Sequence, residues 1–142
     1  VRKIFTEQEQ KKYAEILLAP TKIYVKTILQ LLKNFSPNKD IKAMVHITGG
    51  GFYDNIVRVL GQEYNAVVYK NSWVVSEIFK VIQNKGEISD KEMYRTFNMG
   101  IGMILVVNKN KVKEVLKFLG SEGSVIGEII KNDKKISEVI LL

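Results

Sequence analysis

Residues 41–48 read Ile41-Lys-Ala-Met-Val-His-Ile-Thr48, and they run through Gly49-Gly-Gly51 into Phe52-Tyr-Asp-Asn-Ile-Val-Arg-Val-Leu60. The first block is an apolar run of strand length with β-branched residues. The last block is a helix, from about Phe52 to Leu60. Three glycines join them, so the segment is a strand end, a tight turn and a helix start. That unit sets the expected fold class, because it places a helix against a sheet.

The flanking sequence extends the same pattern. Downstream, Asn65 to Tyr69 is a second strand. A helix from about Val75 to Lys85 is expected to bury Val75, Ile78, Phe79 and Ile82, with Gly86 where a C-terminal cap belongs. Ser89 and Glu92 have capping-box spacing and start a short helix towards Phe97. Ile101 to Val107 is a strong strand. Val112, Val115, Leu116 and Leu119 stripe the next helix, which Gly120 or Gly123 ends. Val125 to Lys131 and Ile136 to Leu141 read as strands around Asn132-Asp133, a hairpin signal. Upstream, Thr6 and Glu9 form another capping box before a short helix to about Leu18. Pro20-Thr21 opens a helix with Val25, Ile28, Leu29 and Leu32 on one face, and Ser36-Pro37-Asn38 ends it. The sum is an α+β (mixed α/β) fold, with one mixed sheet of about four strands flanked by helices. No repeat or linker interrupts it, so residues 1–142 are expected to form a single domain.

Composition narrows the function classes. The chain has 142 residues, 46% hydrophobic and 26% charged, the balance of a globular protein. It begins at Val1 rather than methionine, so an upstream portion is expected. There is no cysteine, which excludes thiol catalysis, disulfides and cysteine-ligated zinc. No run approaches the roughly 20 apolar residues of a membrane span, and the charged stretch from Thr6 to Lys12 leaves no room for a signal peptide. The expected location is cytoplasmic, with no membrane partner. Lysine and arginine number 22 against 15 acidic residues, a net charge of +7 that favours anionic partners. The densest basic group, Lys109, Lys111, Lys113 and Lys117, lies on one amphipathic helix and reads as a solvated face. A small basic nucleic-acid-binding domain is the non-enzyme alternative, but without an interleaved aromatic stripe a nucleic-acid partner is not expected.

Two clusters can carry chemistry. In the first, His46 and Thr48 share a strand face, and Gly49, Gly50 and Gly51 allow positive φ and close approach of a ligand. The helix that follows offers unpaired N–H groups, which suits an anion. The alternative is a tight turn whose glycines serve backbone geometry alone, and spacing does not decide between the two. His46 is the sole histidine. Asp54 is the only nearby carboxylate, so no metal site is expected here. Arg58 lies about two helical turns in. The second cluster, Tyr94-Arg-Thr-Phe-Asn-Met-Gly-Ile-Gly102, is a polar turn in which Arg95, Thr96 and Asn98 can hydrogen-bond a ligand, or a helix-to-strand loop with internal caps. Trp73, the sole tryptophan, reads as core. No Walker loop, dinucleotide fingerprint or carboxylate cluster suited to Mg-ATP is present.

The stretches His46 to Leu60 and Met93 to Met103 resemble two signature segments of the aminoimidazole ribonucleotide synthetases (phosphoribosylformylglycinamidine cyclo-ligases). Leu17-Leu-Ala-Pro-Thr-Lys-Ile-Tyr-Val-Lys26 resembles a third, and Val1-Arg-Lys-Ile-Phe5 resembles the residues after a Ser-Asn-Gly segment ending the family's amino-terminal half. Asp54 and Val57 depart from the family's usual Glu and Pro. The resemblance implies a carboxy-terminal domain whose ATP-binding amino-terminal half is not in this chain. It implies an ATP- and Mg-dependent enzyme closing formylglycinamidine ribonucleotide into aminoimidazole ribonucleotide, with that ribonucleotide as the small-molecule partner and a homodimer as the full-length state. The fragment itself is expected to be inactive and to bind no cofactor. By the same resemblance His46 is the catalytic candidate, for polarising substrate or shuttling a proton. Thr48, Gly49, Gly50, Gly51, Asn55, Arg95, Thr96 and Asn98 are the substrate-binding candidates. Sibling ATP-dependent enzymes, such as formylglycinamidine ribonucleotide synthetase and selenophosphate synthetase, share the fold but match Arg95 to Gly102 less well.

Overall fold

A computed structural model describes residues 3–142; Val1 and Arg2, part of the resemblance noted above, lie outside the described residues. The class is mixed α/β. In chain order the elements are α1 (Glu7–Lys12), α2 (Ala14–Leu17), α3 (Val25–Asn34), β1 (Ile41–His46), α4 (Gly51–Val57), β2 (Tyr64–Val68), α5 (Glu77–Gly86), α6 (Asp90–Thr96), β3 (Met103–Val107), α7 (Val112–Leu119), β4 (Gly127–Lys131) and β5 (Val139–Leu141). Among the described residues no helix is long and apolar enough to cross a membrane.

The strands form two sheets where the sequence suggested one. β1 pairs antiparallel with β3, and β2 lies between an antiparallel β4 and a parallel β5. Helix α4 bridges the two sheets, with Phe52 and Ile56 buried in a core that also holds Val45, Ile47, Ala66, Val68 and Val139. A second, smaller core of Leu31, Phe35, Ile41 and Val115 joins α3 and α7 to the β1–β3 pair. The register slips between Ile41 and Ala43. Ile41 thus serves the small core, while Val45 and Ile47 serve the large one. Each sheet therefore has apolar support of its own, and the edges of β3 and β4 face a cleft of about 990 Å³ instead of pairing.

The expected β4–β5 hairpin does not form, because β2 separates the two strands. Strands one position removed lie roughly 10 Å apart, more than a two-residue turn spans. Residues 132–138 make the wider connection. Asn132 organises it, accepting from Lys134 N–H at 2.8 Å and donating to the Ile136 carbonyl.

Helix α3 starts at Val25, well after Pro20, and is rotated from the expected face. Leu31 is completely buried and Phe35 nearly so, whereas Val25 and Leu29 face solvent. The spacing of Ile28, Leu31 and Phe35 fits the groove over β1–β3. The capping box at Thr6 is present in full, and Ser89 caps α6 through Glu92 N–H. Helix α5 includes Gly86 and is terminated by Glu87, whose φ of 49° takes the left-handed cap position. Trp73 stacks on Phe52 with ring centroids 5.9 Å apart and donates its indole N–H to the Met99 carbonyl at 2.9 Å.

Candidate functional site

Strand β1 alternates so that Val45 and Ile47 point into the core while His46 and Thr48 stand in solvent. At its end the chain turns through the three glycines, and each has a different physical reason to be there. Gly51 has φ of 56°, and a Cβ on it would lie 2.1 Å from the Tyr94 carbonyl oxygen. That glycine lets α4 dock on the backbone of α6. Gly50 has φ of 92°, and a Cβ there would meet the Asp54 carboxylate at 2.6 Å. Gly49 has no positive φ, and a Cβ on it would meet nothing within 4 Å. Folding explains two of the glycines and leaves the third, which is exposed, without a structural role.

Asn55 holds this turn. It is buried at 4% exposure. Its amide N–H groups donate to the carbonyls of Thr48, Gly49 and Gly51 at 3.3, 3.2 and 2.7 Å. Its oxygen accepts from Thr48 Oγ1 at 3.4 Å and from Arg58 Nη1 at 3.3 Å. Arg58 thus points back towards the turn, as a second brace. Every polar atom of Asn55 is engaged with the protein. The structure places it beneath the turn, as a clamp.

The second cluster meets the first through two contacts. The Gly51 turn packs on the Tyr94 and Arg95 carbonyls, and the Arg95 guanidinium lies 6.0 Å from the Tyr53 ring centroid at the start of α4. On the other side, Ile47 N–H donates to the Gly102 carbonyl at 2.8 Å, tying the entry of β3 to the end of β1. The side chains of Thr96 and Asn98 look elsewhere. Thr96 Oγ1 donates to Glu92 at 3.1 Å, and Asn98 Oδ1 accepts from Gly100 N–H at 3.0 Å. Those two bonds shape α6 and its exit loop. His46, the glycine turn and Arg95 are therefore brought to one end of the β1–β3 pair, while Thr96 and Asn98 are locally engaged near it.

Two features of the neighbourhood were not foreseen. Tyr24, just before α3, sets its ring edge-on to the His46 imidazole, with centroids 6.0 Å apart and planes at 67°. It lies in the segment Leu17 to Lys26 that carries the third resemblance, more than twenty residues away in sequence, and nothing in that pattern points it at His46. Asp54 puts a carboxylate over Gly50 at the helix start, so part of the positive potential there is already answered from within the chain. Tyr94, behind the turn, has its phenol raised above its ordinary value, first by burial and then by the charge of Asp90. It stays protonated at neutral pH and is no proton acceptor. Among the described residues, no group of three or more histidine or acidic side chains is arranged to hold a metal ion.

In this mixed α/β domain an exposed histidine, a clamped glycine turn and an arginine are gathered at one sheet end. The sequence profile of the AIR synthase related protein C-terminal domain matches residues 1–140, and the chain belongs to that family. It is 45% identical over 150 aligned residues to the phosphoribosylformylglycinamidine cyclo-ligase of Alkaliphilus metalliredigens, covering 96% of this chain and 42% of that protein. It is 46% identical to the protein of the same name from Caldanaerobacter subterraneus, covering 94% and 42%. With that of Geotalea daltonii it shares 51% identity, covering 87% and 35%. The chain thus spans about two fifths of the length of the relatives it matches.

Proposed function

We propose that this chain is the substrate-holding, carboxy-terminal part of a cytoplasmic phosphoribosylformylglycinamidine cyclo-ligase. That enzyme converts formylglycinamidine ribonucleotide and ATP into aminoimidazole ribonucleotide, ADP and phosphate. ATP phosphorylates the formamide oxygen, the ring-forming nitrogen attacks the activated carbon, and the phosphate leaves with that oxygen. Identities of 45–46% over nearly the whole chain to relatives bearing that name support this reading over a sibling enzyme.

Within it, Gly49 presents an uncluttered backbone to the phosphate or to the activated formamide, Gly50 makes the turn beneath the Asp54 carboxylate, and Thr48 adds a hydroxyl at the rim. Arg95 supplies the positive charge that Asp54 partly offsets at the helix start. His46 stands free on the exposed face, where it can polarise the substrate or carry a proton. Asn55 acts from below by fixing the turn. The observation that carries the reading is Gly49: it lies beside His46 in an exposed turn, and packing gives no reason for a glycine there.

ATP and Mg²⁺ belong, on this proposal, to the remainder of a longer protein, which also makes the dimer. The surface supports a missing neighbour. A compact monomer of 16.2 kDa should expose about 7,500 Å², and this chain exposes 9874 Å². Leu18, Ile23 and Val74 are more than three-quarters exposed, an arrangement that a covering domain would relieve. Calorimetry of this chain with Mg-ATP tests the division of labour. No heat of binding is expected at micromolar ligand, and micromolar affinity would place the nucleotide site in this chain and overturn the assignment.

A further inference from the structure

We propose that Tyr24 is a positioning residue that holds the His46 imidazole in the orientation it presents to the ligand, an inference that rests on the substrate-facing role given to His46 above. His46 is exposed at the end of a strand, and no hydrogen bond to its ring nitrogens is present among the described residues. A side chain in that situation samples several rotamers unless something packs on it. What packs on it is the Tyr24 ring, edge to face at 6.0 Å and 67°, the geometry aromatic pairs prefer.

Tyr24 is in turn held from two other directions. A Cβ on Gly102 would lie 2.1 Å from Tyr24 Oη and 2.9 Å from Cζ. The phenol therefore rests directly on the backbone where β3 begins, and Gly102 is a glycine because Tyr24 is there. The Lys22 ammonium stands 5.8 Å from the Tyr24 ring centroid and is anchored 3.0 Å from the Glu122 carboxylate. The segment before α3, the end of β1, the start of β3 and the turn after α7 meet at this one ring. Gly102 belongs to the second signature segment, His46 to the first and Tyr24 to the third, so all three segments meet at this ring. Its contact with His46 is through carbon. Tyr24 neither reaches the substrate nor moves a proton on this account; it sets where the imidazole nitrogens point.

His46 is the only histidine, so its Cε1–H proton gives a single, self-assigned imidazole resonance in this chain. Removing the ring in Tyr24→Leu should abolish the ring-current displacement of that resonance, moving it towards the value of a free histidine. Tyr24→Phe, which keeps the ring, should hold it near the wild-type position. Gly102→Ala, which pushes the phenol aside without touching Tyr24, should move it in the same direction as Tyr24→Leu, and this protects the test should Tyr24→Leu fold poorly. In a protein of the relatives' full length, Tyr24→Leu should lower kcat on the order of tenfold with KM little changed, within the roughly hundredfold that about 1 Å of misplacement can cost. Tyr24→Phe should rescue it. An unmoved His46 resonance in both Tyr24→Leu and Gly102→Ala would overturn the proposal, as would a loss confined to KM. These signals do not depend on ligand binding. If inorganic phosphate fails to perturb the wild-type His46 resonance while the Tyr24 effects appear, the substrate-site reading falls and the positioning contact stands.

Discussion

The two signature loops sit at the same end of the β1–β3 pair and differ in how their polar side chains are used. The glycine turn at residues 48–51 depends on partners from other elements: Asn55 below it, Arg58 behind Asn55, and the α6 backbone against Gly51. The loop at residues 97–102 is tied from outside at Met99 by Trp73 and at Gly102 by Ile47, and between those points it is shaped from within by the Asn98–Gly100 bond and by the left-handed Met99 and Gly100. A turn braced from outside keeps its shape only while the domain is packed, and it can leave its own outer surface bare for a ligand. A loop shaped from within has its polar side chains already engaged. Asn98 and Thr96 thus have side chains already bonded within the chain, whereas the outer surface of the glycine turn is bare.

The contrast predicts unequal sensitivity. Gly51→Ala should be the most damaging change in either loop. A left-handed alanine costs about 1–2 kcal/mol, and forcing its Cβ against the Tyr94 carbonyl adds about 1–3 kcal/mol of overpacking. A stability loss of about 3 kcal/mol or more in urea unfolding is expected, and a loss below 1 kcal/mol would show that α4 is not docked on α6 as described. Asn55→Ala comes next. It leaves three carbonyls and the Thr48 hydroxyl without their partner, for a loss of about 2 kcal/mol. Asn98→Ala should cost about 1 kcal/mol at most, one neutral bond in an open loop. If Asn98→Ala matched Asn55→Ala, the distinction between the two loops would be lost.

A smaller, pH-dependent effect probes the same principle at the amino-terminal end. Glu9 closes the Thr6 capping box and also receives Lys85 from α5. Lys85 above all, then the Thr6 backbone, lowers its carboxyl from an ordinary 4.5 to about 2. A lowered folded-state value means that the contribution is present above pH 4.5 and is lost as the pH falls towards about 2. The pair is exposed and screened by salt, so the effect on thermal stability should be modest. Glu9→Gln should flatten the acid side of the Tm–pH curve, and an unchanged curve would remove Lys85 from the account.

Much of this was legible in the sequence, and the failures share one physical cause. The capping box at Thr6, the helix cap at Ser89, the strands at Ile41 and Ile101, and the strand–turn–helix at Gly49 follow from local patterns, and local forces form them. The number of sheets did not follow, because which edges pair is decided by long-range packing. Ile41 and Val45 look alike in sequence, yet a register slip sends them to different cores. The hairpin at Asn132 looked local, but β2 enters from some sixty residues away to separate its strands. The rotation of α3 towards Leu31 and Phe35 was similarly set by the groove it meets. At the site, His46 and the glycines were visible as motifs. Tyr24 stood in the third resembling segment, but its place beside His46 was not visible, because only the folded chain brings the two together. The triple glycine also looked uniform, and the structure divides it into two glycines explained by folding and one left over.

That leftover residue gives the most direct test. In a protein of the relatives' full length, Gly49→Val places a Cβ where no protein atom lies within 4 Å. Urea unfolding should show its stability within about 0.5 kcal/mol of wild type, as for a surface substitution. The value of kcat/KM for formylglycinamidine ribonucleotide should fall on the order of a hundredfold, because the side chain fills the approach to the turn that the ligand uses. Wild-type kcat/KM with unchanged stability would contradict the central claim that the glycine turn is the surface on which the substrate lies.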